Sequence, residues 1–463
     1  TDLDELRSAD VVIEAAPENL DLKRSIFSEL ERITSGRAII ATNTSTLSVA
    51  AITAGMDHPG KAAGLHFFNP APVLPLVELV KTEQTAEATV AILSALAGRL
   101  EKTSVITRDV PGFIVNRVAR PFYGEALRLL GDGVARAEEI DRLIVRGAGF
   151  RMGPFRLMDL IGIDVNFAAM KSMYDQTFGE PRYRPHWIQS RMVAAGTLGR
   201  KTGRGFYDYS REEIRPDPQV NILSPERFPS PWVTPGTWAP GLGKLCVSNG
   251  VWLQPPGGGE DPSLVLIPAG RDENIRYLLK QIEKRVSGET AIAVQCSDTT
   301  LSELTAEAAV PQRLVGFDGL FLSQGAAIAL TRTDRTDPVV ERTAASFFRS
   351  LKLNPIWVAD SPGLVLPRIV AALANEASFA VLEGVADADT IDRAMRLGVN
   401  YPRGPIAWAR EIGFRKITAI LDHMRAEFGE ERHRPSVLLR RWARLAAGSN
   451  GPDSHSSHDS TAR

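Results

Sequence analysis

The sequence predicts an α/β fold followed by an all-helical one, with the pair then repeated along the chain. Three observations carry this. Short β-branched runs alternate with apolar-periodic stretches as far as residue 108, convincing strands stop after Asp109, and residues 109–162 recur at 360–413. In that recurrence 18 of the 54 positions are identical without a gap, with "DVPGFIVNR" over "DSPGLVLPR", Glu125 over Glu376 and "IDR" at 140–142 over 391–393. A weaker match precedes it, "AAGLHFF" at 62–68 lying over "LVGFDGL" at 314–320.

Taken in order, residues 11–16 (VVIEAA) and 38–42 (AIIAT) suit buried parallel strands. Between them Asn19 is placed to cap a helix whose Leu22, Ile26, Phe27, Leu30 and Ile33 recur at helical spacing. Strand-like runs follow at 61–68 (KAAGLHFF) and 76–81 (LVELVK), then a helix at 87–100 and a strand at 104–107. The expected domains are an α/β unit at 1–108 and a helical unit at 109–209. A Pro-rich linker at 210–240 joins them to a second α/β region at 241–359 and a second helical region at 360–447. The polar tail at 448–463 reads as disordered.

Lys+Arg at 54 against Asp+Glu at 55 leave a net charge of −1, so no global electrostatic case for a nucleic-acid partner exists. Two cysteines, Cys246 and Cys296, cannot build a disulfide framework or a cysteine-based zinc site, and they suit a reducing, cytoplasmic setting. No apolar run approaches the ~20 residues of a membrane span. His455 and His458 sit in the polar tail, where two solvated side chains are a simpler reading than a metal site.

Four polar groups stand where chemistry is expected: Ser45, His66, Glu78 and Asn116. Ser45 and His66 fall at the ends of predicted parallel strands, where open α/β sheets place their ligands. Glu78 lies amid Leu76, Val77, Leu79 and Val80, where burial requires a partner. His66 is the natural one, because a carboxylate on one ring nitrogen fixes the tautomer and leaves the other nitrogen free as a base. Asn116 opens the helical region and can face back across a cleft. Each also has a plain structural reading: a satisfied histidine, an edge-strand charge, and helix caps for Ser45 and Asn116.

With these residues in view, the sequence resembles the L-3-hydroxyacyl-CoA dehydrogenases. The matching stretches are "VIEAAPEN" (12–19), "TNTSTLS" (42–48), "GLHFFNPAPVLPLVELVKT" (64–82), "DVPGFIVNR" (109–117), "GAGFRMGPFRLMDLIGID" (147–164) and "GRKTGRGFYDY" (199–209), in family order. The resemblance implies a Rossmann-type domain that binds NAD (or NADP), a helical C-terminal domain and an acyl-CoA substrate. It implies oxidation of an (S)-3-hydroxyl to a 3-oxo group, in fatty-acid or phenylacetate-type catabolism. It further implies that His66 is the general base and Glu78 the carboxylate that orients it. Ser45 and Asn116 would bind the reacting oxygen or the thioester carbonyl, and Glu18, Lys23, Asn43, Asn69 and Lys201 would contact the cofactor.

The second half looks like the fused, degenerate copy found in longer bacterial members, including those similar to the 3-hydroxyadipyl-CoA dehydrogenases. There His66 falls near Asp318, Glu78 near Ala329 and Asn116 on Pro367, so fold positions persist without the chemistry. The expected role is to stand in for a partner subunit, in a pseudo-dimeric chain whose further oligomerisation is open. Arg151, Arg182 and Arg184 are candidate cations for a distal substrate carboxylate. The family's opening strand, Gly-rich turn and helix do not precede Thr1, so the chain reads as a fragment with impaired cofactor binding. A non-catalytic scaffold and the reverse reduction of a 3-oxoacyl-CoA are the competing readings.

Overall fold

The computed structural model describes residues 3–210, 231–233, 240–255, 261–268, 275–321 and 325–448. Most of the Pro-rich linker, and the tail beyond 448 with His455 and His458, lie outside the described residues.

The first unit runs β1 (Val11–Glu14), α1 (Leu20–Ile33), β2 (Ile39–Thr42), α2 (Val49–Thr53), β3 (Ala62–Phe67), β4 (Leu76–Lys81), α3 (Glu87–Arg99) and β5 (Thr103–Arg108). Its strands form one sheet in the order β1-β2-β3-β4-β5. Asn19 caps α1, its side chain accepting from the Leu22 N–H at 3.0 Å. The cap of α2 is Ser48 rather than Ser45, which frees the Ser45 hydroxyl for another role.

Strands β3 and β4 pair antiparallel, while the other pairs in this sheet are parallel. The reason is the connection: residues 68–75 are too few for the dozen or more that a parallel crossover needs. This reversal sets His66 directly opposite Glu78 in the register.

The helical unit that follows comprises α4 (Val115–Val118), α5 (Arg120–Gly131), α6 (Ala137–Arg142), α7 (Pro154–Ile161), α8 (Ile163–Gln176) and α9 (Trp187–Ala194). A second sheet-and-helix unit then contains β6 (Trp232–Val233), α10 (Pro240–Ser248), β7 (Leu264–Ile267), α11 (Ile275–Glu283), β8 (Ala291–Gln295), α12 (Leu301–Glu307), β9 (Leu314–Phe317), β10 (Ala327–Thr331), α13 (Pro338–Ser350) and β11 (Asn354–Val358). Its order, β11-β10-β9-β8-β7-β6, repeats the first sheet with β6 added, including an antiparallel pair at β9–β10. The last helices are α14 (Leu366–Leu382), α15 (Ala388–Gly398), α16 (Pro405–Ile412), α17 (Phe414–Phe428) and α18 (Val437–Gly448).

Matching positions of the two halves adopt matching geometry. Gly112 and Phe113 turn at φ 77° and 50°, and Gly363 and Leu364 do so at 74° and 43°. Asp109 accepts the N–H groups of Val49 and Ala50 as Asp360 accepts those of Leu301 and Ser302.

The helical units pack against each other through α5 and α14 in one continuous apolar core, which also takes in one face of the second sheet. Within that core the charges are exchanged reciprocally. Arg117 bonds Glu376 at 2.8 Å, and Arg368 bonds Glu125 at 2.7 Å. Arg182 and Tyr183 join on Glu376, while Arg432 and His433 join on Glu125. The Arg108 N–H donates to the Val385 carbonyl as the Ala359 N–H donates to that of Val134. Each of these contacts thus has its counterpart in the opposite direction, i to j and j to i.

Candidate active site

Because β3 and β4 run antiparallel, the opposed side chains of His66 and Glu78 leave the same face of the sheet. The imidazole Nδ1 lies 2.8 Å from Glu78 Oε2, and both residues are buried. The other carboxylate oxygen of Glu78 accepts the backbone N–H groups of Ile114 (3.0 Å) and Val115 (2.8 Å), at the entry to α4. Three donors thus satisfy a fully buried carboxylate that would otherwise be costly in an apolar sheet. The left-handed turn at Gly112 and Phe113 delivers those two N–H groups, and it also sets the Phe113 ring 5.8 Å from the imidazole. Phe68 covers the ring from another side at 4.6 Å.

A carboxylate can only accept, so Nδ1 carries the proton and Nε2 presents a lone pair. That lone pair faces Ser45, whose hydroxyl oxygen is 3.1 Å away. The Asn116 amide donates to the Ser45 carbonyl at 3.3 Å, which ties α4 to the loop after β2. Ser45, His66, Glu78 and Asn116 therefore form one connected chain of contacts across the junction of the sheet and the helical unit. Its chemical capacity is to take a proton at Nε2 and to present a hydroxyl and an amide beside it.

Other candidates separate by what they touch. Glu18 accepts from the N–H groups of Ser45 (2.6 Å) and Thr46 (3.3 Å) and from the Thr44 hydroxyl, so it shapes the Ser45 loop. Lys23 is buried, with its ammonium on Glu14 (2.7 Å) and the Ala16 carbonyl (2.9 Å) and 3.9 Å from Glu18. Asn43 accepts the Phe67 N–H at 2.8 Å through Oδ1, pointing its amide nitrogen elsewhere. Asn69 stands exposed after β3, before a cis bond to Pro70. These residues gather at the carboxyl ends of β1, β2 and β3, the crevice where α/β sheets hold dinucleotides. Lys201 stands apart, its ammonium 2.6 Å from Asp164 at the start of α8.

Of the three candidate cations, Arg182 is engaged elsewhere: it bonds Glu180 and Glu376 and lies over the Phe379 ring, holding the two halves together. Arg151 and Arg184 are exposed. Sequence reading passed over Glu14, which is buried and holds Lys23 and the Thr42 hydroxyl. The signal was present, since it is a carboxylate inside an apolar run, as Glu78 is. The backbone donors of Ile114 and Val115 were also passed over, and only the Gly-Phe pair of "PGF" hints at the turn that aims them.

The second unit has neither base nor orienting acid at the matching place. Asp318 occupies the position of His66, its N–H bonded to the Ala329 carbonyl across β9–β10, and Ala329 stands where Glu78 does. Among the described residues, no helix is long and apolar enough to cross a membrane.

Residues 1–110 match the NAD-binding domain of 3-hydroxyacyl-CoA dehydrogenases, and residues 112–209 and 363–452 both match the C-terminal domain of the same family. The chain is similar to the 3-hydroxyadipyl-CoA dehydrogenase of Escherichia coli (strain K12), with 35% identity over 452 residues, spanning 97% of this chain and 83% of that relative. A 3-hydroxybutyryl-CoA dehydrogenase of Clostridioides difficile is 40% identical over 211 residues, which is 46% of this chain and 75% of the relative. Among solved structures, that of a 3-hydroxybutyryl-CoA dehydrogenase from Escherichia coli K12 superposes with a TM-score of 0.76 at 34% identity, covering 96% of this chain and 84% of the other.

Proposed function

The chain belongs to the 3-hydroxyacyl-CoA dehydrogenase family, and from that premise we propose which residues carry the reaction and what the second half contributes. It is an NAD-dependent oxidoreductase of 3-hydroxyacyl-CoA. When bound, NAD supplies the acceptor for the hydride that leaves C3 of the substrate.

His66 is the general base. Its Nε2 takes the proton of the 3-hydroxyl, so that loss of hydride does not leave an alkoxide behind. Glu78 holds the ring and stabilises the imidazolium formed. Ser45 and Asn116 bind the reacting oxygen or the thioester carbonyl. In the reverse direction the same imidazolium returns the proton to a 3-oxo group. The observation that carries this reading is the Glu78–His66–Ser45 chain at 2.8 Å and 3.1 Å, with Nε2 turned toward the loop at the carboxyl end of β2.

The carboxyl-end loops suit the nicotinamide half of NAD. Asn43 can offer its amide nitrogen and Asn69 its exposed side chain, while Glu18 shapes the loop between them. Lys23 serves by holding Glu14 and Glu18 in place. Lys201, paired with Asp164, acts on the cofactor only if that pair opens.

The second half is a degenerate copy that replaces a partner subunit, a reading supported by the reciprocal pairs Arg117–Glu376 and Arg368–Glu125. The similarity to a 3-hydroxyadipyl-CoA dehydrogenase over nearly the full chain favours a short, dicarboxylic acyl group and a catabolic role. The two free, buried cysteines support a reducing, cytoplasmic setting.

The test is absorbance of reduced nicotinamide on mixing the full-length protein with NAD and (S)-3-hydroxyacyl-CoA thioesters of graded length. Reduction that depends on both reactants is expected. Absence of any reduction across the series overturns the catalytic reading.

A further inference from the structure

Arg120 is a buried cation without a counter-charge. It opens α5, it is 4% exposed, and among the described residues no carboxylate lies within ion-pair distance of its guanidinium. Its side chain donates from Nε to the Asn116 carbonyl at 2.6 Å. One terminal nitrogen is buried with no partner among the described residues. The groups around it are aromatic. Its guanidinium carbon lies 5.2 Å from the Tyr123 ring, and Tyr401, from the second half, is near enough to act on its charge. Among the described residues the Tyr401 hydroxyl is likewise buried without a partner, and its ring packs on Phe122 and Phe150. Burial pulls the Arg120 pKa down, opposed only by the two phenols.

An isolated buried charge is costly unless a partner or ligand completes it. The repeat shows that the fold does not require it. The reciprocal arginines Arg117 and Arg368 are kept in both halves, whereas the position matching Arg120 holds Ala371, equally buried in α14. Arg120 is therefore a feature of the half that carries the chemistry.

Its place is specific. Four residues separate it from Asn116, about 6 Å along a helix, and side chains at that spacing share a face. The guanidinium folds back toward Asn116, which itself reaches the Ser45 loop. An anion bound here would sit about one helical turn from Asn116, among buried aromatic rings. That suits the far end of a short acyl chain. It does not suit the solvated, multiply charged phosphates of CoA.

We propose that Arg120, with the Tyr401 hydroxyl beside it, binds the distal carboxylate of a short dicarboxylic 3-hydroxyacyl-CoA. This rests on the dehydrogenase reading above and adds a role for the second half, which contributes Tyr401 to the acyl pocket. Arg120 acts in substrate selection and takes no part in the proton transfer.

The experiment compares 3-hydroxyadipyl-CoA with 3-hydroxyhexanoyl-CoA, which differ only at the distal carboxylate, in calorimetric binding to the full-length protein without NAD. The wild type should prefer the dicarboxylic thioester, and Arg120→Leu should cut the ratio of affinities by at least about 30-fold, the effect of removing one partner of a buried charge pair. Arg120→Lys should keep part of the preference, and Tyr401→Phe should lower it severalfold. Equal wild-type affinity for the two thioesters overturns the proposal, and so does a parallel loss of both in Arg120→Leu, which would mark a purely structural residue. If Arg120→Leu does not fold, the wild-type comparison and Tyr401→Phe decide it. Hydride transfer, followed separately, distinguishes the two readings: a carboxylate preference without NAD reduction keeps the subsite and refutes the dehydrogenase reading.

Discussion

His66 and Glu78 are direct register partners across an antiparallel strand pair, with Nδ1 and Oε2 2.8 Å apart and Oε1 held by the two backbone donors of Ile114 and Val115. The carboxylate that holds the imidazole is thus itself anchored to the helical unit. His66→Gln should lower kcat by about 10²–10⁴-fold with little change in KM, since a base acts in the transition state. Glu78→Gln should lower kcat at least about 10²-fold, because an amide cannot accept from all three donors that converge on the carboxylate. Steady-state kinetics on any turned-over thioester checks both. A variant of His66 with near-parent kcat would remove it from the mechanism.

Much of this arrangement was legible beforehand, for physical reasons that also explain the gaps. Strands and helices of the first half announce themselves by apolar periodicity, and Glu78 by its place in an apolar run. The antiparallel turn of β4 is set by the short connection at 68–75, a length signal and not a periodicity. Arg182 looked like a free cation because its partner Glu376 is 194 residues away, beyond any local pattern. Ser45 and Ser48 both resemble caps, and only the three-dimensional path of the loop separates them. Arg120 carries no local signal, because what marks it is the absence of an anion around it.

Asp318, which stands where His66 does in the first half, is fully enclosed, and burial raises its carboxyl from 3.8 to about 7, against a single backbone donor at Leu320. Among the described residues, one of its oxygens has no partner. A carboxyl raised on folding is stable while protonated and destabilising once ionised, so stability should fall as pH rises from about 4 through about 7. Asp318→Asn should match the wild type near pH 4 and exceed it near pH 8, by roughly 3–5 kcal/mol if the full shift is expressed. Thermal unfolding at the two pH values checks this, and an equal difference at both would refute it.

Glu125 behaves in the opposite sense. Burial alone would raise its carboxyl, but Arg432, His433 and Arg368 overcome that and hold it well below the usual carboxylate range. Its contribution is therefore present above the ordinary carboxylate range and lost as pH falls through the folded value. Glu125→Gln should destabilise the neutral protein by about 3–5 kcal/mol, since it leaves buried guanidinium groups uncompensated. It should also flatten the acid limb of the stability curve. Denaturant midpoints across the acid range are the measurement, and an unchanged acid limb would contradict the assignment.

Gly398, the last residue of α15, approaches the supports of Glu78 from the second half. A Cβ built there would lie 2.7 Å from Leu76 Cδ2 and 3.1 Å from Val115 Cγ2. Leu76 opens β4, two residues before Glu78, and Val115 donates one of the two N–H groups on the Glu78 carboxylate. A methyl at this point presses on both supports of the Glu78 carboxylate at once. Gly398→Ala should cost about 1–3 kcal/mol from overpacking. Gly398→Val, with two more carbons in the same gap, should cost more. If the second half buttresses the site, kcat should fall with KM nearly constant, as expected when a catalytic geometry is disturbed and the binding surface is not. A variant that loses stability but keeps its kcat would limit the second half to holding the fold.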